Sequence, residues 1–360
     1  MTWETSEQTN IGIDARFLDN SLSFTMDWYS KQTKDLLVEV GTNAASGFAT
    51  QYQNAGTVKN TGLELSMGWR DQIGKEFKYG VNVNMAYNKN EVTEVNNANH
   101  FIEGGNDLLA QSTGRFVRME EGHPIGYFYG YKTDGVIQNQ NDLQAYLDQN
   151  CKGNAANSKQ GASIKPGDLK FVDVDGNGVI NDDDKTDLGN PHPDVTMGLT
   201  LSAEYKGFDF SILFQGADNV SIKYFGRSMW PFAKGEESAK SLIKERWTQE
   251  RYEAGEKITF PRLSLNPNGE TDHNYRPSTL WIRDASYLRL KNLEVGYTFT
   301  GGFVKRLNLN SVRLYFNGSN LFTWTDVVDL DPEAPSRSGN VEINTYPLQK
   351  VYNIGLNINF

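Results

Sequence analysis

Tyr352-Asn353-Ile354-Gly355-Leu356-Asn357-Ile358-Asn359-Phe360 places a bulky apolar side chain at every second position, with Asn or Gly between. Successive side chains of an extended chain point to opposite faces, so this stretch reads as a strand with one apolar and one polar face. Leu63-Glu64-Leu65-Ser66-Met67-Gly68-Trp69 has the same alternation, as do residues 79–87 and 197–205. Alternating segments of about ten residues are the mark of strands that line a membrane barrel, one face toward hydrocarbon and the other toward a watery lumen.

Working outward, about eleven such segments are expected, near 3–17, 21–32, 60–70, 77–88, 109–119, 123–133, 195–205, 208–217, 285–299, 310–322 and 350–360. The connectors alternate without exception. Long loops of about 33–59, 89–108, 134–194, 218–284 and 323–349 are separated by short turns at 18–20, 71–76, 120–122, 206–207 and 300–309. Membrane barrels keep tight turns on the periplasmic side and long loops outside, so this order gives each connector a side. The reading is an all-β, antiparallel transmembrane β-barrel. A soluble β-sandwich or β-helix also alternates, but a sandwich crosses between its ends by Greek-key connections and does not collect every long loop at one end.

Composition supports this reading. The 360-residue chain has a formal net charge of −10 and no run of Lys and Arg, which excludes a phosphate-binding, nucleic-acid partner. No stretch approaches the roughly 20 apolar residues of a spanning helix, so any crossing is made by strands in contact with membrane lipid. Cys151 is the only cysteine, which rules out an internal disulfide. The opening Met1-Thr2-Trp3-Glu4-Thr5 lacks the charged start and apolar core of an export signal, so Met1 is expected to lie within a longer reading frame. Trp3, Trp28, Trp69, Tyr87, Tyr297 and Trp324 fall near strand ends and suit aromatic girdles at the two interfaces.

Several segments together resemble the SusC/RagA family of TonB-dependent receptors, nutrient importers of Bacteroidota. The most specific is Gly167-Asp168-Leu169-Lys170-Phe171-Val172-Asp173-Val174-Asp175-Gly176-Asn177-Gly178-Val179-Ile180-Asn181, followed by Asp184, Gly189-Asn190-Pro191 and Pro193-Asp194. Trp3-Glu4-Thr5, Gly122-His123-Pro124-Ile125-Gly126 and Asp284-Ala285-Ser286-Tyr287-Leu288-Arg289-Leu290-Lys291-Asn292 add to it. The resemblance implies a barrel of about twenty-two strands closed by a plug, of which 1–360 would be the C-terminal half, with the plug absent. It also implies import of an oligosaccharide or oligopeptide, a SusD-like surface lipoprotein over the mouth, and a TonB complex acting through the missing plug. The row Tyr352, Ile354, Leu356, Ile358 and Phe360 resembles the C-terminal signal read by the outer-membrane assembly machinery. The competing function is a passive porin or surface adhesion barrel without energy coupling.

Residues 173–184 match a calcium-loop spacing. Asp173, Asp175, Asn177 and Asn181 offer side-chain oxygens at the first, third, fifth and ninth positions, Val179 its carbonyl at the seventh, and Asp184 stands at the twelfth. Calcium takes six to eight hard oxygens, so Asp184 in place of the usual Glu still serves. The alternative is a solvated acidic turn. Ligand contact is expected from the 218–284 loop, where Tyr224, Trp230, Phe232, Trp247 and Tyr252 offer ring faces and Arg262 a cation. For each of these, packing within the loop is the competing reading, and a short helix at 239–249 would turn Trp247 inward. No enzyme is expected: His100, His123, His192 and His273 are far apart and no nucleophile elbow occurs.

Overall fold

Among the described residues, nine strands form one antiparallel sheet in which each pairs with the next of the nine in sequence. They are β1 (Thr5–Phe17), β2 (Leu22–Lys34), β3 (Gly56–Ile73), β4 (Phe77–Val95), β5 (Val195–Tyr205), β6 (Phe208–Asp218), β7 (Tyr287–Phe299), β8 (Ser311–Thr325) and β9 (Val351–Asn359). The structure is a computed structural model that describes residues 2–41, 50–54, 56–97, 100–104, 116–224, 230–232, 241–264, 273–333 and 347–360.

The register converts sequence alternation into two chemically different surfaces. Ile13, Met26, Leu65, Met85, Met197, Gly216, Leu288 and Trp324 are directly opposed from strand to strand across β1 to β8, an almost unbroken apolar row. Most of its large side chains are exposed, which in water would be a liability and in a bilayer is the required outer surface. One residue along, Thr25, Ser66, Asn84, Gly198, Gln215 and Arg289 are opposed in the same way on the other face. That row faces the lumen.

An aromatic band bounds the apolar surface at the tight-turn end. Phe77 packs beside Tyr79 and Tyr205 there, and Phe208 sits 4.5 Å from Tyr297 between ring centroids. Trp28, Tyr87 and Trp324 are all exposed, but of the six expected girdle residues only Trp69, Tyr297 and Trp324 lie near strand ends, Trp28 and Tyr87 falling in the middle of β2 and β4. Trp3 lies just outside β1 and is also exposed.

The expected strand count needs correction. The described residues of the expected strands 109–119 and 123–133 do not enter the wall. Among their described residues, Val117–Glu120 and Tyr127–Tyr131 belong to a separate four-stranded sheet, with 105–115 outside the described residues. Four- and five-residue strands cannot cross hydrocarbon, which takes about nine to eleven tilted residues. Tyr127, Phe128 and Tyr131 are buried, and Arg118 stacks 3.9 Å from the Phe101 ring and 3.5 Å from the Tyr129 ring. This is small-sheet packing beyond the wall. β4 therefore pairs directly with β5.

Removing one hairpin leaves the connector order intact. Tight turns occupy 18–21, 74–76, 206–207 and 300–310, and long connectors 35–55, 96–194, 219–286 and 326–350. The tightest is Lys206-Gly207, with φ of 48° and 90°, the primed hairpin geometry whose twist matches the flanking strands.

An arginine pair tests which face meets lipid. Leu199→Arg, on the outer row, should destabilise the full receptor by about 2–4 kcal/mol in bilayers, and lumen-facing Thr200→Arg by much less. Urea unfolding in liposomes reads both, and equal losses would contradict the assigned faces.

Candidate functional site

At the long-connector end the chain builds a second layer with its own hydrophobic core. Helix α1 (Gln140–Asn150) begins at Asn139, whose side-chain oxygen accepts from the Asp142 N–H at 3.0 Å, and it buries Leu143, Tyr146 and Leu147. Three- and four-residue spacing puts those side chains on one stripe, against Phe171, Ile164 and Ile180. Cys151 ends the helix, fully buried, and burial pushes its thiol up to about 11, so it stays protonated and inert.

The acidic loop grows from this core. Asp173 accepts from the N–H of Gly176 at 2.9 Å and of Gly178 at 2.7 Å. Gly178 has φ 74°, a left-handed conformation that favours glycine, and Lys152 lies where a Cβ would go. Asp175 accepts from the Asn177 N–H, and Asn177 in turn from the Val179 N–H. Asn181 caps a short 3₁₀ turn over Asp182–Asp184, and Asp184, fully buried, accepts from the N–H groups of Val174 and Asn181 at 2.8 Å each. The loop thus folds back so that carboxylate oxygens of Asp173, Asp175 and Asp184 come within 4.8 Å of one another. Next to it, Asp182 takes hydrogen bonds from Lys159 and Tyr131 at 2.7 Å each. Burial opposes ionisation there, but these bonds and the charges of Lys185 and Lys159 prevail and hold the carboxyl well below its usual range.

The six expected ligand contacts lie elsewhere in the layer and mostly serve its packing. Tyr224 and Trp230 are buried, so their expected exposure to ligand is corrected: the Tyr224 hydroxyl bonds the Val328 backbone, and Trp230 donates to the Tyr224 carbonyl and packs on Tyr275 and Trp281. Trp247 donates to the Gln138 carbonyl at 3.0 Å, and the Tyr252 hydroxyl accepts from Asn139 at 2.6 Å. Arg262 pairs at 2.7 Å with Asp168, which is fully buried. Phe232 sits partly buried at a turn with φ 59°. Aromatic content marked where the layer is dense. It did not mark a surface.

The layer is tied to the wall by a buried cation. Arg289 on the lumen face of β7, 2 % exposed, pairs with Asp331 at 2.6 Å and Glu333 at 3.3 Å, and Lys291 meets Glu333 at 2.9 Å. Arg289 and Lys291, two residues apart, share one side by ordinary alternation, and a register shift lies between Leu290 and Asn292. Asp331 also accepts from the backbone N–H groups of Glu333 and Leu348, so it grips both legs of the β8–β9 connector. Burial raises the Asp331 carboxyl, but these partners outweigh it and hold it below its ordinary value.

Beside this latch a cleft of about 760 Å³ opens at the mouth of the lumen. Its floor is the wall at Asn84, Thr196 and Gln215. Pro191, His192, Pro193, Tyr287, Pro332 and Glu333 also line it. Sequence reading passed over Asn84 and Gln215 as ordinary polar-face residues; their one signal was position, near the long-loop ends of polar strand faces.

A nine-strand wall with a long-loop mouth defines a segment of an outer-membrane β-barrel, and comparison supplies the family. The sequence family described as "TonB dependent receptor-like, beta-barrel" matches residues 1–321, and the chain belongs to it. TonB-dependent receptor P3 of Formosa agariphila is 31 % identical over the whole chain, which covers 34 % of that protein. TonB-dependent receptor SusC of Bacteroides thetaiotaomicron is 28 % identical, again over the whole chain and 32 % of its own length. Among solved structures, the RagAB peptide transporter superposes with a TM-score of 0.70 at 25 % identity, covering 100 % of this chain and 36 % of that one. The chain therefore spans about a third of the length of the relatives it matches. These are receptors of the outer membrane, not enzymes.

Arg289→Met should leave the Asp331 carboxylate without its cation, Glu333 keeping Lys291, and cost about 3–5 kcal/mol, the usual penalty for breaking a buried pair from one side. Limited proteolysis should then cut the 326–350 connector faster; an unchanged rate would mean the latch does not hold it. Because the Asp331 carboxyl is depressed, its contribution is complete above about pH 4 and is lost as pH falls through its folded-state value. Wild type should become protease-sensitive in that acid window, and the Arg289→Met variant should lose this pH dependence.

Proposed function

We propose that the protein imports a nutrient too large for a passive pore, an oligosaccharide or oligopeptide, across the outer membrane. The observation that carries this reading is family membership across residues 1–321, joined to a polar lumen wall that opens at a structured, long-loop mouth. A plug preceding this segment would take up force from the TonB complex, and a SusD-like surface lipoprotein would cover the mouth. SusC and RagAB, similar along the whole of this chain, support those partners. The exposed row Tyr352, Ile354, Leu356, Ile358 and Phe360 on and beside β9 is proposed to engage the outer-membrane assembly machinery.

A calcium ion in the acidic loop belongs to the same reading. The residues fit it. Three convergent carboxylates, one fully buried, repel one another unless a cation lies among them. Asp173, Asp175, Asn177, the Val179 carbonyl, Asn181 and Asp184 would hold the ion, which would rigidify the turn on which the mouth layer is built. Each carboxylate oxygen that accepts an N–H retains a lone pair for a metal.

Two experiments test these proposals. Deleting the gene should abolish growth on one class of glycan or peptide while a plug-free version of the receptor fails to restore it; full rescue without the plug would favour the passive-porin reading. Isothermal titration of the folded receptor with calcium should give heat for wild type and little for Asp175→Ala, and equal heats would remove the ion from the account.

A further inference from the structure

We propose that the mouth cleft is a ligand subsite that accepts uncharged, hydroxyl-rich chains, a neutral oligosaccharide rather than a peptide or an acidic glycan. This rests on the import reading above and adds to it a place and a chemistry. Asn84, Gly198 and Gln215 are opposed across β4, β5 and β6, so two side-chain amides flank a residue with no side chain. A Cβ at Gly198 would lie 2.6 Å from Asn84 Oδ1, which puts the Asn84 amide across that gap. Each amide presents donors and an acceptor together, the complement of neighbouring hydroxyls that also donate and accept. Thr196 extends the polar floor.

Pro191, Pro193, Tyr287 and Pro332 also line the cleft, and their ring surfaces are of the kind that packs on the C–H faces of pyranose rings. Charge decides against the other ligand classes. Glu333 is the one carboxylate among the described lining residues, and Lys291 and Arg289 already hold it. Among the described lining residues there is no Lys or Arg to meet a uronate, a sulfate or a peptide carboxylate, His192 being the one basic side chain there, and no free carboxylate to meet an ammonium. A charged ligand would lose its hydration there without an opposing charge, whereas a neutral one exchanges water for amide hydrogen bonds.

The test uses the full-length receptor expressed in a strain lacking its own copy, with uptake measured for four probe sets: neutral gluco-, manno- and xylo-oligosaccharides, uronate oligosaccharides, sulfated oligosaccharides, and tryptic casein peptides. Wild type should restore uptake of a neutral set. Asn84→Leu and Gln215→Leu should each raise the half-saturating concentration about tenfold at unchanged surface level, the size of a lost hydrogen bond to a neutral group. Gln215→Arg, which supplies a free cation, should gain uptake of uronate oligosaccharides, a change that misfolding cannot produce. Wild-type half-saturation in both leucine variants would overturn the cleft while leaving import standing. Restored uptake confined to peptides or acidic glycans would overturn the chemistry, and no uptake of any set by wild type would overturn import itself together with this subsite.

Discussion

Everything in this structure depends on the lateral backbone ladder. In hydrocarbon no water can satisfy a peptide N–H or C=O, and each unsatisfied group costs several kcal/mol, so a strand survives there only if its neighbours take every donor and acceptor. The nine strands meet that condition by pairing in strict sequence order, with register carried from β1 to β9. Once pairing is continuous, alternation does the rest: apolar rows to lipid, polar rows to the lumen. The outer edges of β1 and β9 are the two places where the ladder needs further strands, consistent with a chain that spans about a third of its relatives.

The wall was legible in the sequence because its constraint is local. Val81, Val83 and Met85 point one way and Asn82 and Asn84 the other whatever the rest of the chain does. The connector order was legible for the same reason, and it survived the miscounting of strands because one hairpin adds or removes two crossings. What misled was Tyr127-Phe128-Tyr129-Gly130-Tyr131. It is an aromatic run broken only by Gly130, both its faces are covered by protein, and a short apolar run does not by itself tell lipid from a neighbouring sheet.

The site was less legible, and the reasons differ by residue. The acidic loop could be read because its oxygens and glycines act within twelve neighbouring positions, and the structure brings Asp173, Asp175 and Asp184 together. The loop aromatics could not, since an aromatic-rich loop looks the same whether Trp230 faces a ligand or Tyr275 and Trp281. Arg289 and Lys291 were read only as part of a motif. Their partners, Asp331 and Glu333, lie more than forty positions away in a connector that no sequence pattern pairs with this strand. The mouth thus combines a wall set by local alternation with a layer set by distant charges, and the Arg289 latch is where the two join.

Substituted-cysteine labelling of the full-length receptor in intact cells tests the central claim most directly, because it asks on which side of the membrane each connector lies. A membrane-impermeant maleimide should label Lys257→Cys, exposed in the 219–286 connector, and should reach Lys75→Cys in the 74–76 turn only after the outer membrane is permeabilised. The reverse pattern, or equal labelling of both in intact cells, would contradict the wall, its orientation and the mouth built upon it.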